Sequence, residues 1–494
     1  MRSVILCCRW LLLLPLLWLA TAHAQLPESV ARALEKSGVP PENVAVYVQQ
    51  VDAAQPSISH FADQAFAPAS VMKVVTTYAA LDMLGPAYRW RTAVYHDGVL
   101  ENGILNGNLI LQGAGDPYFR TEDFWQLLTY LRQRGVTEIR GDLLIDGSRF
   151  QLAQGNPGAF DGEPYRAYNA LPSAWLLNFK ANSFRLVPDV VHQRVDILPN
   201  PEIPEIRVDN RLTLTNGACG NWKQALQYDI QPIPLNAALD NSAGLMLVDF
   251  RGSYAASCGE KALELSLLDD GSYTLGVFRK IWQQLGGTFT GKVRWQPAGP
   301  SATLLAEYWG APLAEVVRNI NKYSNNLMTR QLLLTIAAER KGVPATEASG
   351  AEAIHDWLVA KQLEFPGLVL ENGSGLSRIE RISAMQLGGL LLDAYHSPVM
   401  PELMSSLPIL SVDGTLSQRL KESPAQGSAH IKTGSLEGVR SIAGYVLDSA
   451  GRRWVVVFMA NHPAAGSTGN AQDALIEWIY SETPSSEAAG GVQH

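Results

Sequence analysis

Apolar residues recur along this chain with two different periods, and the changes from one to the other mark out its elements. Residues 27–36 carry apolar positions at helical spacing and stop at Gly38, which predicts a short amphipathic helix. The Val-rich run 43–51 predicts a strand and 58–62 a shorter partner. Pro68 and Ala69 lead into a helix from 70 to about 83, stopped at Gly85. Near the other end, 430–435, 441–447 and 454–460 predict three strands, the last two joined by a turn at Asp448-Ser449-Ala450-Gly451, and 471–480 a final helix. Two strands from the start and three from the end predict one five-stranded antiparallel sheet, with the first and last helices over one face. Helical spacing in 313–323, 326–340, 350–361 and 383–395 predicts a helical part beside it. The fold class is α+β, with a cleft between sheet and helices.

The long interval between the two ends reads differently. Asp97-Gly98, Asn102-Gly103 and Asn106-Gly107 punctuate short apolar runs such as 109–111, a hairpin signature. Helices at 123–133 and 273–285 interrupt further strands at 142–146, 185–187 and 208–214. The interval is expected to be one or two β-rich modules inserted into the α+β domain.

Composition narrows the setting. Arg2 and Arg9 flank the start, 11–19 is an apolar run, and Ala22-His23-Ala24 resembles a small-residue cleavage site. The apolar stretch is short for a spanning helix, so 1–24 reads as a secretory signal peptide, with an uncleaved anchor as the alternative and at most peripheral membrane association thereafter. Export to the periplasm follows. Cys7 and Cys8 fall inside the leader, leaving Cys219 and Cys258 to form one disulfide, the plainer alternative being two buried thiols. A polar tail, 483–494, is expected to be disordered. The net charge of −8, without a clustered Lys/Arg stripe, argues against a nucleic-acid partner. The nine His are scattered with no H-E-x-x-H spacing, and no phosphate-binding Gly-rich loop occurs, so no metal or cofactor is expected.

Three short motifs stand in order: Ser70-Val71-Met72-Lys73, Ser324-Asn325-Asn326 and Lys432-Thr433-Gly434. Each alone is weak, since such triplets arise by chance in a long chain. Their placement at a helix start, a helix junction and a strand gives them weight. The i, i+3 spacing of Ser70 and Lys73 lets the amine reach the hydroxyl, and a serine is a weak nucleophile until a base takes its proton. Burial and the nearby cation of Lys432 would both favour a neutral Lys73. Ser324 can pass a proton to a leaving amine, and Asn326 can hold Lys73 or a substrate carbonyl. The bland reading of this second motif is a helix N-cap. Lys432 offers positive potential and Thr433 a hydroxyl for a carboxylate. Gly434 allows close approach of a peptide backbone, and the N–H groups of Ser70 and Ser435 are candidate oxyanion donors.

The whole set resembles the S-x-x-K, S-x-N and K-T-G motifs of penicillin-binding proteins and serine β-lactamases. Within them, Pro68-Ala69-Ser70-Val71-Met72-Lys73-Val74-Val75-Thr76-Thr77-Tyr78-Ala79-Ala80-Leu81 is similar to the first motif of the class C low-molecular-mass penicillin-binding proteins. Similar agreement occurs at Gly113-Ala114-Gly115-Asp116-Pro117, 141–150, Asn372-Gly373-Ser374-Gly375-Leu376-Ser377-Arg378, Asp413-Gly414-Thr415-Leu416 and 432–444, so the resemblance spans roughly 26–479. It implies a β-lactamase/transpeptidase-like catalytic domain (25–90 and 298–482) carrying two inserted β-rich domains, one of 91–183 with 266–297 and one of 184–265. It implies a D-alanyl-D-alanine carboxypeptidase/endopeptidase, acylated by penicillin and other β-lactams at Ser70, acting on peptidoglycan peptides ending in D-Ala-D-Ala and on D-alanyl cross-links to diaminopimelate. Glu163, Arg378 and Glu437 are the candidates for side-chain recognition. Asn325 and Asn372 stand where the family often has Asp. The middle position of the second motif should point away from the chemistry. Two rivals are weaker: a β-lactamase of the same fold lacks a deacylating Glu close after the second motif, and a vestigial peptidoglycan-binding protein would not need the intact Ser70, Lys73, Ser324, Asn326 and Lys432.

Overall fold

The strand Val44–Gln50 does not alternate between buried and exposed residues, because both of its faces are covered. Val44, Val46 and Val48 pack with Val30, Leu34, Leu475 and Ile479 on one side, while Ala45 and Tyr47 pack with Val75, Leu387 and Leu391 on the other. The period-2 geometry of a strand thus divides one apolar run between two cores. The computed structural model describes residues 26–233 and 245–481; the expected leader and tail lie outside the described residues.

Val44–Gln50 lies second in a five-stranded antiparallel sheet, in the order Ile58–His60, Val44–Gln50, Arg453–Asn461, Val439–Leu447, Ala429–Leu436. Chain start and chain end are knitted together from Val44↔Ala460 to Gln50↔Trp454. The helices Glu28–Ser37 and Gly469–Ser481 cover one face, and Gly38, left-handed at φ 70°, ends the first of them. The other face carries the helix Met72–Leu84, buried on all sides from Met72 to Leu81, and around it Leu313–Tyr323, Asn326–Arg340, Glu347–Ala360 and Ala384–Tyr395. A further short helix, Met400–Ser406, was not foreseen; Pro401 lies in its first turn, where proline is tolerated.

The inserted segment begins with a second five-stranded sheet, Val293–Trp295, Leu143–Asp146, Leu109–Gln112, Arg91–His96 and Thr303–Trp309. Its first three strands are parallel, which hairpins alone cannot make. The helix Thr121–Gln133 supplies the crossover between Leu109–Gln112 and Leu143–Asp146, so this unit is more α/β than β-rich. The Asn102-Gly103 hairpin forms as predicted, with both residues at positive φ. Thr303–Trp309 pairs with Arg91–His96, so the chain stays in this sheet beyond 297, where it was expected to return to the catalytic part. The β-sheet unit that follows Asn182–Asp189 holds the run 208–214, which is two strands, Ile206–Asn210 and Thr213–Thr215. Both lie parallel to Leu245–Ala255, and between them the Asn210 side chain accepts the Leu212 N–H at 3.1 Å, a turn that interrupts the ladder.

Cys219 and Cys258 are bonded, closing a separation of 39 residues within this unit. In the chain-entropy view such a bridge contributes about 4 kcal/mol. Thiol titration of the denatured, unreduced mature protein is expected to find no free thiol; two would refute the bridge.

Candidate active site

The first motif gains its geometry from one strained residue. Ala69 sits at φ 48°, and the turn Ala69–Val71 lifts Ser70 ahead of the helix Met72–Leu84. A left-handed non-glycine residue costs of order 1 kcal/mol and persists where its surroundings impose it. The surroundings here are backbone. A Cβ on Gly375 would lie 1.8 Å from the Ala69 carbonyl oxygen, and one on Gly434 would lie 2.8 Å from the Pro68 oxygen and 3.0 Å from the Ser70 nitrogen. The Ser441 hydroxyl donates to the Pro68 oxygen at 2.6 Å. Two glycines and a serine from distant segments therefore clamp the turn that carries Ser70.

The second motif is a helix junction. Leu313–Tyr323 ends at Ser324, left-handed at φ 57°, and Asn325 caps the next helix by accepting the Met328 N–H at 3.0 Å. The capping duty falls on the middle residue, which leaves Ser324 and Asn326 free to face the cleft. The third motif lies on the sheet's edge strand Ala429–Leu436, where Lys432 pairs with Ala443 and Gly434 with Ser441.

These segments meet around two buried amines. Lys73 Nζ donates to Ser70 Oγ at 2.9 Å, to Asn326 Oδ1 at 2.7 Å and to the Ser374 carbonyl. Lys432 Nζ donates to Ser324 Oγ at 2.9 Å and to the Thr433 carbonyl at 2.8 Å. Burial, then the charge of Lys432, holds the Lys73 amine well below the usual lysine range, while Glu380 pulls it back up. Burial alone takes Lys432 down to about 7. A carboxylate placed between Lys432 and Thr433 would restore the charged form of that lysine. The Thr433 hydroxyl is shared with Thr415 at 2.7 Å, on a loop held by the pair of buried Lys322 with half-buried Asp413 at 2.7 Å. Beside Ser324 and Asn326 opens a cavity of about 490 Å³ lined by Tyr168, Asn178, Phe179 and Tyr323. The site can thus offer a serine hydroxyl to an amine biased toward its neutral form, with a second hydroxyl and a latent cation alongside.

Of the remaining candidates, Arg378 and Glu437 meet one another and Glu163 does not join them. Arg378 stacks over Phe160, 4.4 Å from the ring centroid, and reaches Glu437 at 3.9 Å. Glu163 instead pairs with Arg166 at 3.5 Å. Exposed pairs of this kind contribute little to stability. Phe160 escaped the sequence reading, as did Glu380, whose carboxylate accepts four backbone N–H groups beneath the site. Its only trace in the sequence is an acidic residue shortly after two glycines, and nothing in that order says the side chain turns inward. Among the described residues no cluster of His, Cys, Asp and Glu could hold a metal ion.

The model of the D-Ala-D-Ala carboxypeptidase 3 (S13) family matches residues 26–481. The chain is 28% identical over 406 residues to the D-alanyl-D-alanine carboxypeptidase DacB of Haemophilus influenzae, covering 81% of each. It is 28% identical over 399 residues to a D-alanyl-D-alanine carboxypeptidase of Actinomadura sp., covering 77% of this chain and 70% of that one. The crystal structure of penicillin-binding protein 4 from Haemophilus influenzae superposes with a TM-score of 0.72 at 25% identity, over 91% of this chain and 99% of that one.

Gly434→Ala would push the edge strand off the Ser70 turn. Covalent labelling by a fluorescent penicillin is expected to slow by about a hundredfold, with the far-UV circular dichroism unchanged; labelling at the parent rate would show that the close approach is not needed.

Proposed function

We propose that Ser70 is the nucleophile, Lys73 the base that activates it and β-lactams ligands of this chain, which belongs to the D-Ala-D-Ala carboxypeptidase 3 (S13) family and is a serine-type D-alanyl-D-alanine carboxypeptidase. The observation that carries this reading is the Lys73 amine, buried, depressed toward its neutral form and 2.9 Å from Ser70 Oγ. A neutral amine at that distance can take the hydroxyl proton as the bond to carbon forms.

In this reading Ser70 Oγ attacks the carbonyl of the penultimate D-Ala, and the N–H groups of Ser70 and Ser435 stabilise the oxyanion. Ser324, hydrogen-bonded to Lys432, passes a proton to the departing amine of the terminal D-Ala. Water then resolves the acyl-enzyme. Lys432 and Thr433 hold the terminal carboxylate, and Asn326 fixes Lys73 and the substrate amide. The edge strand Ala429–Leu436, with Gly434 at its middle, gives an extended peptide a backbone to pair with. Where the leaving amine belongs to a diaminopimelate side chain, the same steps cut a cross-link. Arg378, Glu437 and Glu163 offer both charges, suited to the charged end of a stem-peptide side chain.

The proposed organisation is a catalytic domain of 25–90 and 298–482, with one inserted domain of 91–183 and 266–297 and another of 184–265. The strand Thr303–Trp309 is the exception, since it completes the inserted sheet. A secretory leader at 1–24 would deliver the protein to the periplasm, where its peptidoglycan substrate lies. Among the described residues no helix is long and apolar enough to cross a membrane.

Ser70→Ala is expected to lose covalent penicillin labelling with an unchanged melting temperature; labelling at the parent stoichiometry would refute the nucleophile. Incubation of the mature protein with a D-Ala-D-Ala muropeptide monomer and a cross-linked dimer, followed by mass spectrometry, is expected to show loss of one alanine from the monomer and splitting of the dimer. An intact dimer beside a trimmed monomer would remove the cross-link reaction.

A further inference from the structure

Glu380 is 1% exposed and makes no ion pair among the described residues. Its Oε1 accepts the N–H groups of Glu371 at 3.1 Å, Asn372 at 3.0 Å and Gly373 at 2.8 Å, and its Oε2 accepts that of Gly375 at 2.9 Å. The loop closes round this carboxylate because Gly373 and Gly375 adopt φ of 71° and 79°. Burial pushes the Glu380 carboxyl up, against the backbone N–H groups and Lys73 that pull it down. All four groups facing its oxygens are donors, an arrangement that favours the carboxylate over the acid.

The loop that it organises touches the reacting groups at two places. The Ser374 carbonyl, between the gripped N–H groups of Gly373 and Gly375, accepts the Lys73 amine. Gly375 packs against the Ala69 carbonyl and the Ser70 nitrogen so closely that no Cβ would fit. The loop is otherwise pinned by Thr76 Oγ1, which donates to the Gly373 oxygen at 2.8 Å, and by Asn372, which accepts the Ser374 N–H at 3.0 Å and hydroxyl at 2.7 Å. The charges that act on Lys73 are Lys432 from the edge strand and Glu380 from this loop, with opposite effects.

We propose that Glu380 is a positioning residue for the reaction at Ser70: it fixes the loop whose Ser374 carbonyl holds the Lys73 amine, and from that loop its negative charge acts on Lys73. This rests on the reading of Lys73 as the base. Without Glu380 the amine would lose an aligned acceptor, and the Lys73–Lys432 repulsion would go uncompensated. Glu380 touches no reacting atom; it acts through Lys73 and the loop.

The test is the pH dependence of the second-order rate of penicillin acylation, measured for the parent, Glu380→Gln and Glu380→Asp. In the parent the rate should fall as pH drops through the Lys73 titration, because the protonated amine cannot accept the serine proton. Glu380→Gln removes the charge and turns an amide donor toward an N–H. It is expected to slow acylation about 10- to 100-fold at the optimum and to move the acid limb to lower pH by about half a unit or more, since the negative charge that favoured protonated Lys73 is gone. A slower enzyme with an unmoved limb would leave only a structural role and overturn the proposal. Glu380→Asp keeps the charge but shortens the reach, so it should be slow with its limb near the parent position; a parent-like rate would overturn the loop-setting role, including where Glu380→Gln does not fold. A parent profile without any acid limb would count against Lys73 as base, separately from Glu380.

Discussion

Two lysine amines are buried side by side in one cleft, and much of the surrounding architecture exists to make that tolerable. A buried ammonium without partners is too costly to persist, so it must be hydrogen-bonded, neutralised or deprotonated. Lys73 has three acceptors: Ser70 in the turn ahead of its own helix, Asn326 on another helix and the Ser374 carbonyl on a loop. Lys432 has a serine hydroxyl and a backbone carbonyl. Bringing these acceptors to two points requires sheet, helices and loop to pack at fixed spacing. Burial and the charge of Lys432 bias Lys73 toward its neutral form, while the acceptors hold the amine in place beside Ser70.

The packing around Ser70 is backbone against backbone. Gly375 and Gly434 approach the Pro68–Ser70 turn from opposite segments, each too near for a side chain, and Ala69 stays left-handed under that confinement. Ser324 is also left-handed, where the helix Leu313–Tyr323 ends and Asn325 caps the next. Left-handed backbone at Ala69, next to Ser70, and at Ser324 marks a site whose geometry is imposed by the fold before substrate arrives. Stiff surroundings follow from the cores on either side of the sheet, which bury both faces of Val44–Gln50, Val439–Leu447 and Arg453–Asn461.

The inserted segment shows where periodicity runs short. The Asn102-Gly103 turn and the helix Thr121–Gln133 were legible because turn chemistry and a 3.6 period are local properties. That the helix joins two parallel strands was not, since pairing partners are set by which apolar faces find one another. The break at Arg211-Leu212 was hidden for a related reason: Asn210 reads as a polar strand residue until its side chain is seen to accept the Leu212 N–H. Thr303–Trp309 likewise carries no mark of the sheet it joins.

What the sequence determined by itself was the ordered set Ser70, Lys73, Ser324, Asn326, Lys432 and Thr433, the two-ended antiparallel sheet and the helices that carry the first two motifs. Those features depend on spacing along a helix or strand, which order alone encodes. Only the tertiary structure decided that Asn325 is the cap, that Arg378 meets Phe160 and Glu437 while Glu163 turns to Arg166, and that Glu380 lies inward beneath Lys73. Each is a contact whose existence depends on where a side chain points after the elements have packed, and for a polar residue in a loop, local sequence leaves that direction open.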